Sequence, residues 1–254
     1  NLGGKQDADG NWSLDDNASA KDRRKFNKFK SKLRLSRLSK ELNDIDTAID
    51  SNSIKAKPII ELIGKAEGVY KVAATNIMMT SRGPMFFSDT AFNVNPTEEE
   101  LVQIARMTNR VMKIFDIEPN LAMLSYSNFG SAKSKSASKV SGAVAYIHEH
   151  YPDIIIDGEI QADFAISENL RKDKFPFSKL HEKKVNGLIF PNLNSANIGY
   201  KLINKLNNIE SIGPIVMGMK KPVHILPLGS SVDEIVNLVC VAVVDAQENS
   251  KKQL

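Results

Sequence analysis

The strongest constraint on this chain is a recurring order: a short apolar run, a polar loop, then an amphipathic helix. Leu188, Ile189 and Phe190 form one such run and Pro191 stops it, so a buried strand is expected to end there in a loop. The loop carries Asn192, Asn194, Ser195 and Asn197, and the helix behind it has apolar positions at Ile198, Leu202, Ile203 and Leu206. Upstream the order repeats. Leu121 to Ser125 reads as a strand, Tyr126 to Lys135 as a polar loop, and a helix from about Ser136 to His150 sets Val140, Val144 and Ile147 on one face. Asn76 to Thr80 and Pro84 to Phe92 read as strands joined by Ser81-Arg82-Gly83. Thr97 followed three residues later by Glu100 predicts a capping box, and Leu101, Ile104, Ala105, Thr108, Met112 and Phe115 make the inner stripe of the helix it opens. Ile154, Ile155 and Ile156 read as a fully buried strand. Strands alternating with helices of this length predict an α/β fold with a mostly parallel sheet covered on both faces. The last helix, Val232 to Asp245, is apolar nearly all round and is expected to be buried, centrally or at a subunit interface.

Composition sets boundaries. With 254 residues and 42% hydrophobic content, the chain can bury a sizeable core as one large or two small domains. The charge divides it: Lys21 to Lys40 holds ten Lys or Arg and one acid, a local +9 in a chain whose formal net charge is +4. We divide the sequence into a basic segment over 1–57, an α/β domain over 58–247 and a polar tail over 248–254. Asn1 to Ser19 looks like a flexible lead-in. Across and beyond the basic block, Phe26, Phe29, Leu33, Leu38, Leu42, Ile45 and Ile49 recur at helical spacing, a linker helix docking its apolar stripe or a binder of nucleic acid, acidic lipid or an acidic partner protein. The single cysteine, Cys240, suits a reducing cytoplasm and is expected to pack in the core. Neither a secretory leader nor a transmembrane run is read, so no membrane partner is expected. His148, His150, His181 and His224 show no metal spacing, and no Rossmann glycine fingerprint occurs.

Two loops carry the candidate chemistry. Ser125, Ser127, Asn128, Ser131 and Lys133 offer hydroxyl, amide and ammonium groups, with Gly130 for close backbone approach, in a loop that leads into a helix. Asn194, Ser195 and Asn197 do the same before the later helix, where free N–H groups and the helix dipole favour an anion. Both sets also suit ordinary caps and turns. Asp157, Glu159 and Asp163 are close enough in sequence to suggest a divalent cation, or Asp157 simply caps or orients its neighbours.

Six ordered motifs go further: PIIELIG at Pro58, FFSDTAFNVNPTEEEL at Phe86, MLSYSNFGS at Met123, DGEIQAD at Asp157, FPNLNSANIGYK at Phe190 and GPIVMGMKKPVH at Gly213. Together they resemble the phosphate acetyltransferase-type domain, and more narrowly the copy fused to the C-terminus of bacterial NADP-dependent malic enzymes. The resemblance implies a three-layer α/β/α fold like that of isocitrate and isopropylmalate dehydrogenases, a homodimer, no metal, no covalently bound cofactor, and a cleft lined by the two loops and Asp157. It adds Lys201 and Lys205 of the later helix and Glu234 to the expected ligand-binding set.

Two departures decide how much function the resemblance carries. Where active acetyltransferases read approximately SRGCSxDD, this chain reads Pro227-Leu228-Gly229-Ser230-Ser231-Val232-Asp233-Glu234. Proline and leucine stand at the serine and arginine positions, Glu234 replaces an aspartate, and Lys205 replaces a second arginine without its bidentate fork. Losing a group that stabilises transition-state charge costs about two to three orders of magnitude in rate. The family's N-terminal part, with its Ser/Gly phosphate loop, has no counterpart in Asn1 to Lys57. The expectation is a non-catalytic domain that senses acyl-CoA, acetyl-CoA first, and regulates a malic-enzyme catalytic part where it belongs to a longer chain. The alternatives are a working phosphate acetyltransferase and a scaffold that grips nucleic acid or an acidic partner through its basic segment.

Overall fold

The computed structural model describes Gly4–Gln6, Trp12–Leu14 and residues 56–207, 209–226 and 230–251. The chain divides into two compact units, Asn1–Ile59 and Ile60–Leu254. In the first, β1 (Gly4–Gln6) and β2 (Trp12–Leu14) pair antiparallel, with Gly4 opposite Leu14 and Gln6 opposite Trp12. A hairpin therefore occupies what reads as a lead-in. Trp12, Ser13 and Leu14 carry the period-2 alternation of a strand, too short to stand out from its polar surroundings. The basic block over Lys21 to Lys40 and its helical stripe lie outside the described residues.

The second unit is built on a six-stranded sheet in the order β6-β5-β7-β4-β3-β8. Its strands are β3 (Ala73–Thr80), β4 (Gly83–Ser88), β5 (Leu121–Leu124), β6 (Ile156–Ile160), β7 (Gly187–Ile189) and β8 (Ser211–Met217). Only β3 runs against the rest, because the tight turn at Ser81-Arg82 folds it back on β4, pairing Thr80 with Gly83. Every other neighbour is reached by a crossover, as a parallel sheet requires.

Apolar residues cover both faces. On one side Phe86, Leu121, Met123, Ile189, Ile215 and Met217 meet the helices α2 (Glu98–Ile114), α3 (Lys135–His150) and α7 (Val232–Lys251). On the other, Met85, Phe87, Ala122, Leu124, Leu188 and Phe190 pack with Ala165 of α4 (Ala162–Ile166), Leu180, and Ala196 of α6 (Leu193–Asn207). Phe86 against Met85 and Phe87 shows the reason: successive strand residues point to opposite faces, so a strand buried on both sides must be apolar throughout. A third, smaller cluster gathers Val72, Val216 and Met219 with Ile60 and Ile63 of α1 (Ala56–Ile63). The expected α/β/α arrangement is thus present.

Two expectations are corrected here. The strand read at Ile154 to Ile156 begins at Ile156 and continues to Ile160, so Asp157 and Glu159 lie inside it, not beyond its end. Gly158 permits this, with φ +144 and no room for a Cβ, which would stand 2.5 Å from the Met123 carbonyl oxygen. The terminal helix is buried only along one side. Leu238 and Val241 reach the core, whereas Val232, Ile235, Val236 and Cys240 are exposed. Cys240 therefore does not pack in the core, because a helix docked on one sheet edge by Leu238 and Val241 leaves its other side uncovered in a single chain.

Candidate functional site

In a mostly parallel sheet, the loops after the strands gather at the carboxyl edge, which is where open α/β sheets bind ligands. Here those loops are 89–97 after β4, 125–134 after β5, 190–192 after β7 and the chain around Gln161 after β6. Because β5 and β7 are neighbours, the sheet order brings the serine-rich loop beside the Asn192 loop.

The serine-rich loop is folded around Glu159. This buried carboxylate accepts from the Ser127 hydroxyl at 2.9 Å and from the Gly130 N–H at 2.7 Å through Oε1. Ser127 is itself fully buried, and its Oγ accepts the Ala132 N–H at 3.0 Å and lies 3.2 Å from Ser131 Oγ. Ser125 Oγ accepts the Ser127 N–H, Ser131 Oγ the Asn128 N–H, and Asn128 Oδ1 the Gln161 N–H. Ser134 then caps α3 by accepting from the Ala137 N–H at 3.1 Å. The loop's inward polar groups are thus committed to holding its shape. Of its candidate ligand-binding residues, Ser131 and Lys133 are the exposed ones.

The Asn192 loop follows the same logic. Asn192 Oδ1 accepts the Ser195 N–H at 2.9 Å, and Ser195 Oγ donates back to the Asn192 carbonyl at 2.9 Å, closing the first turn of α6. Asn194 stands exposed, and Asn197 Nδ2 lies 3.5 Å from the Thr90 carbonyl.

Three groups that build this edge have weak or no local signals in the sequence. Lys139 of α3 donates to Asn95 Oδ1 at 3.1 Å, the Pro96 carbonyl at 2.8 Å and the Pro191 carbonyl at 3.0 Å, tying loops that follow β4 and β7. Burial pushes its ammonium below the ordinary lysine range, opposed by the charge of Glu100. Asp89 gathers the N–H groups of Ala74, Ala91, Phe92 and Asn93, folding the chain back just after β4. Its place at the end of an apolar run in FFSD was the available signal; Lys139 offered none, since its partners are remote in sequence. Tyr126, the third, spans the serine-rich loop by donating its hydroxyl to Ser134 Oγ at 2.6 Å.

Asp157 turns elsewhere. Its Oδ2 accepts from the Ser178 hydroxyl at 2.7 Å and the Lys179 N–H at 2.8 Å, pinning the segment between α5 (Glu168–Lys174) and β7. That segment is also held by Arg171, fully buried, whose guanidinium donates to the carbonyls of Phe164, Ala165, Leu180 and Lys183. Asp157 and Glu159 therefore serve different loops. Among the described residues, no group of three or more His, Cys, Asp or Glu is gathered as a metal ion would need.

Lys205 and Glu234 are not brought to the serine-rich loop. Ser211 pairs with Met78 and Met217 with Ala73, so the start of β8 lies at the amino edge of the parallel strands, and Asn237 of α7 bonds Glu210 there. Glu234 closes a capping box with Ser231, accepting the Ser231 N–H at 2.7 Å while its own N–H meets Ser231 Oγ at 3.2 Å. It lines a cavity of about 540 Å³ with Asn204, Glu210, Ser211, Ser231 and Asp233. Lys205 is exposed near the end of α6, and Lys201 is exposed one turn earlier. Pro227 and Leu228 lie outside the described residues.

No described helix is long and apolar enough to cross a membrane. The fold and its loops match known proteins over most of the chain. A solved phosphotransacetylase from Streptococcus pyogenes superposes with a TM-score of 0.73 at 35% identity, covering 78% of this chain and 61% of that one. One from Staphylococcus aureus gives 0.72 at 32% identity with the same coverage. By sequence, the NADP-dependent malic enzyme of Salmonella typhimurium is 42% identical over 73% of this chain, and the phosphate acetyltransferase of Bacillus subtilis is 36% identical over 80%. The chain spans only 24% of that malic enzyme and 62% of that acetyltransferase. The family pattern described as phosphate acetyl/butaryl transferase matches residues 45–243, so with this sheet, these loops and these relatives the chain belongs to the phosphate acetyl/butaryl transferase family.

Proposed function

We propose that this chain is a non-catalytic acyl-CoA-binding domain, with acetyl-CoA as its ligand, and that it regulates a malic-enzyme catalytic part. The observation that carries this reading is the pair Pro227-Leu228 at the positions where the acetyltransferase motif has serine and arginine. An acyl phosphate gathers negative charge as it transfers, and neither side chain supplies a cation or a hydroxyl to meet it. The carboxyl-edge cradle is retained beside this loss. Ser131, Lys133 and Asn194 face solvent at this edge, and the hydrogen bonds made by the Ser125 and Ser127 hydroxyls hold the serine-rich loop rigid.

Homodimerisation is part of the proposal. Ile198, Leu202 and Leu206 are exposed at four-residue spacing along α6, and Val232, Ile235 and Val236 are exposed on α7, which supports an apolar partner surface. A cytoplasmic setting suits the free, exposed Cys240.

Titration calorimetry with acetyl-CoA, paired with a thioester-forming assay on acetyl phosphate and CoA, tests the reading. Saturable binding without turnover is the expected result. The absence of heat at millimolar acetyl-CoA from folded protein removes the ligand assignment. Identity of 36% to a phosphate acetyltransferase over 80% of the chain favours a second reading, active acyl transfer. Turnover on the order of 1 to 1,000 per second selects it.

A further inference from the structure

Tyr126 is a large aromatic side chain at the carboxyl edge that is both fixed and uncovered. Its hydroxyl donates to Ser134 Oγ at 2.6 Å, and Ser134 is the cap of α3. Its backbone is fixed as well, since the carbonyl accepts from Gln161 Nε2 at 2.6 Å. Between these anchors the residue remains 59% exposed. Tyrosine rings left that open on a surface are ordinarily free to turn, whereas this one is held at both ends across the serine-rich loop. A ring so held has lost its rotational freedom before any ligand arrives, which lowers the ordering cost of a flat partner placed against it.

We propose that Tyr126 is the stacking platform for the adenine base of acyl-CoA, an assignment that rests on the acyl-CoA reading of the same edge. Ser131 and Lys133, exposed on the same loop, lie within seven residues of the ring and offer a hydroxyl and an ammonium to the phosphates. Every purine presents a π-face, and base-on-aromatic stacking needs no hydrogen-bond readout. Phe177, also exposed, does not share this design: its ring packs edge-on against Phe129 at 5.1 Å and belongs to a cluster with Phe175.

The test compares two probes on the full chain, acetyl-CoA and acetyl-phosphopantetheine, which keeps the thioester arm and its phosphate but lacks the adenosine with its own phosphates. Wild-type protein is expected to bind acetyl-CoA about tenfold more tightly than acetyl-phosphopantetheine. Tyr126→Ala should narrow that gap several-fold by weakening acetyl-CoA alone, and Tyr126→Phe, which keeps the ring but not its tether, should retain most of it. Circular dichroism confirms that each variant is folded, and Tyr126→Leu replaces Tyr126→Ala should the latter fail to fold. A gap that survives undiminished in Tyr126→Ala or Tyr126→Leu, or that narrows only in Phe177→Ala, overturns the stacking assignment and leaves acyl-CoA binding intact. Equal binding of both probes by wild-type protein overturns it also. Failure of wild-type protein to bind either probe overturns the underlying reading with it.

Discussion

The two edges of the central sheet use polar residues in opposite ways. At the carboxyl edge, Glu159, Asp89 and Ser127 are buried; Asp89 gathers four backbone N–H groups, and Glu159 and Ser127 accept one each, so the polar atoms are structural supports for the loops they sit beneath. At the amino edge, Lys205 and Glu234 are exposed, and Glu234 does no more than close the first turn of α7. The difference teaches that polar richness in a sequence does not mark a ligand contact. A buried carboxylate with several N–H partners makes a loop rigid, and the groups left outward on that loop are the ones able to meet a ligand.

The sharpest way to break this contrast is Arg171→Ala. Four backbone carbonyls lose a donor at once; that of Leu180 keeps the Lys183 N–H, and each carbonyl left unsatisfied costs about 1 to 3 kcal/mol, so a loss of at least about 3 kcal/mol is expected by urea unfolding. A smaller loss would mean that the segment before β7 is not held from within.

His224 gives the next largest effect, through pH. Its Nδ1 accepts the Val216 N–H at 3.2 Å, and burial lowers its pKa to about 4 from 6.5. Above pH 6.5 the ring is neutral in both states. As pH falls through 6.5 the unfolded chain takes up a proton that the folded chain refuses until about 4, so stability is lost across that window, by up to about 3 kcal/mol. Asp245, 4.0 Å from Nε2, reduces the loss if it closes on the charged ring. Unfolding midpoints measured at pH 7, 6, 5 and 4 check this, and His224→Asn should flatten this part of the profile.

Glu159→Gln is expected to cost about 1 to 3 kcal/mol, because two hydrogen bonds to a charged acceptor become bonds to a neutral one. It should also loosen Gly130 and its neighbours, read as faster amide exchange confined to residues 125–134. Least costly are the outward residues of the amino edge. Glu234→Ala should cost about 0.5 to 1 kcal/mol through the capping box, and Lys205→Ala should stay within about 0.5 kcal/mol of wild type. If Glu234→Ala matched Glu159→Gln, the contrast between the edges would not hold.

Much of the fold was legible before any coordinates. The runs read at Leu121 to Ser125 and at Leu188 to Phe190 became the strands Leu121–Leu124 and Gly187–Ile189, and Thr97 with Glu100 made the capping box that their spacing predicts. These features depend on neighbours in sequence, which is why local periodicity finds them. Ile154 to Ile156 misled for the same reason: three isoleucines announce burial without saying whether the strand ends or begins among them. Of the candidate site, the two polar loops were legible and do share one edge. The placing of Lys205 and Glu234 away from them was not.

By itself the sequence determined the α/β class, the strand–loop–helix units and the family motifs, because hydrophobic periodicity and capping are set by contacts within a turn or two. Only the tertiary structure decided which polar groups face inward. Lys139 meets Pro191 and Asn95, Ser127 meets Glu159, and Arg171 meets Lys183 after the sheet has ordered its strands as β6-β5-β7-β4-β3-β8. Such pairings are governed by strand order and register, which emerge when the whole core packs and leave no trace in any short stretch of residues.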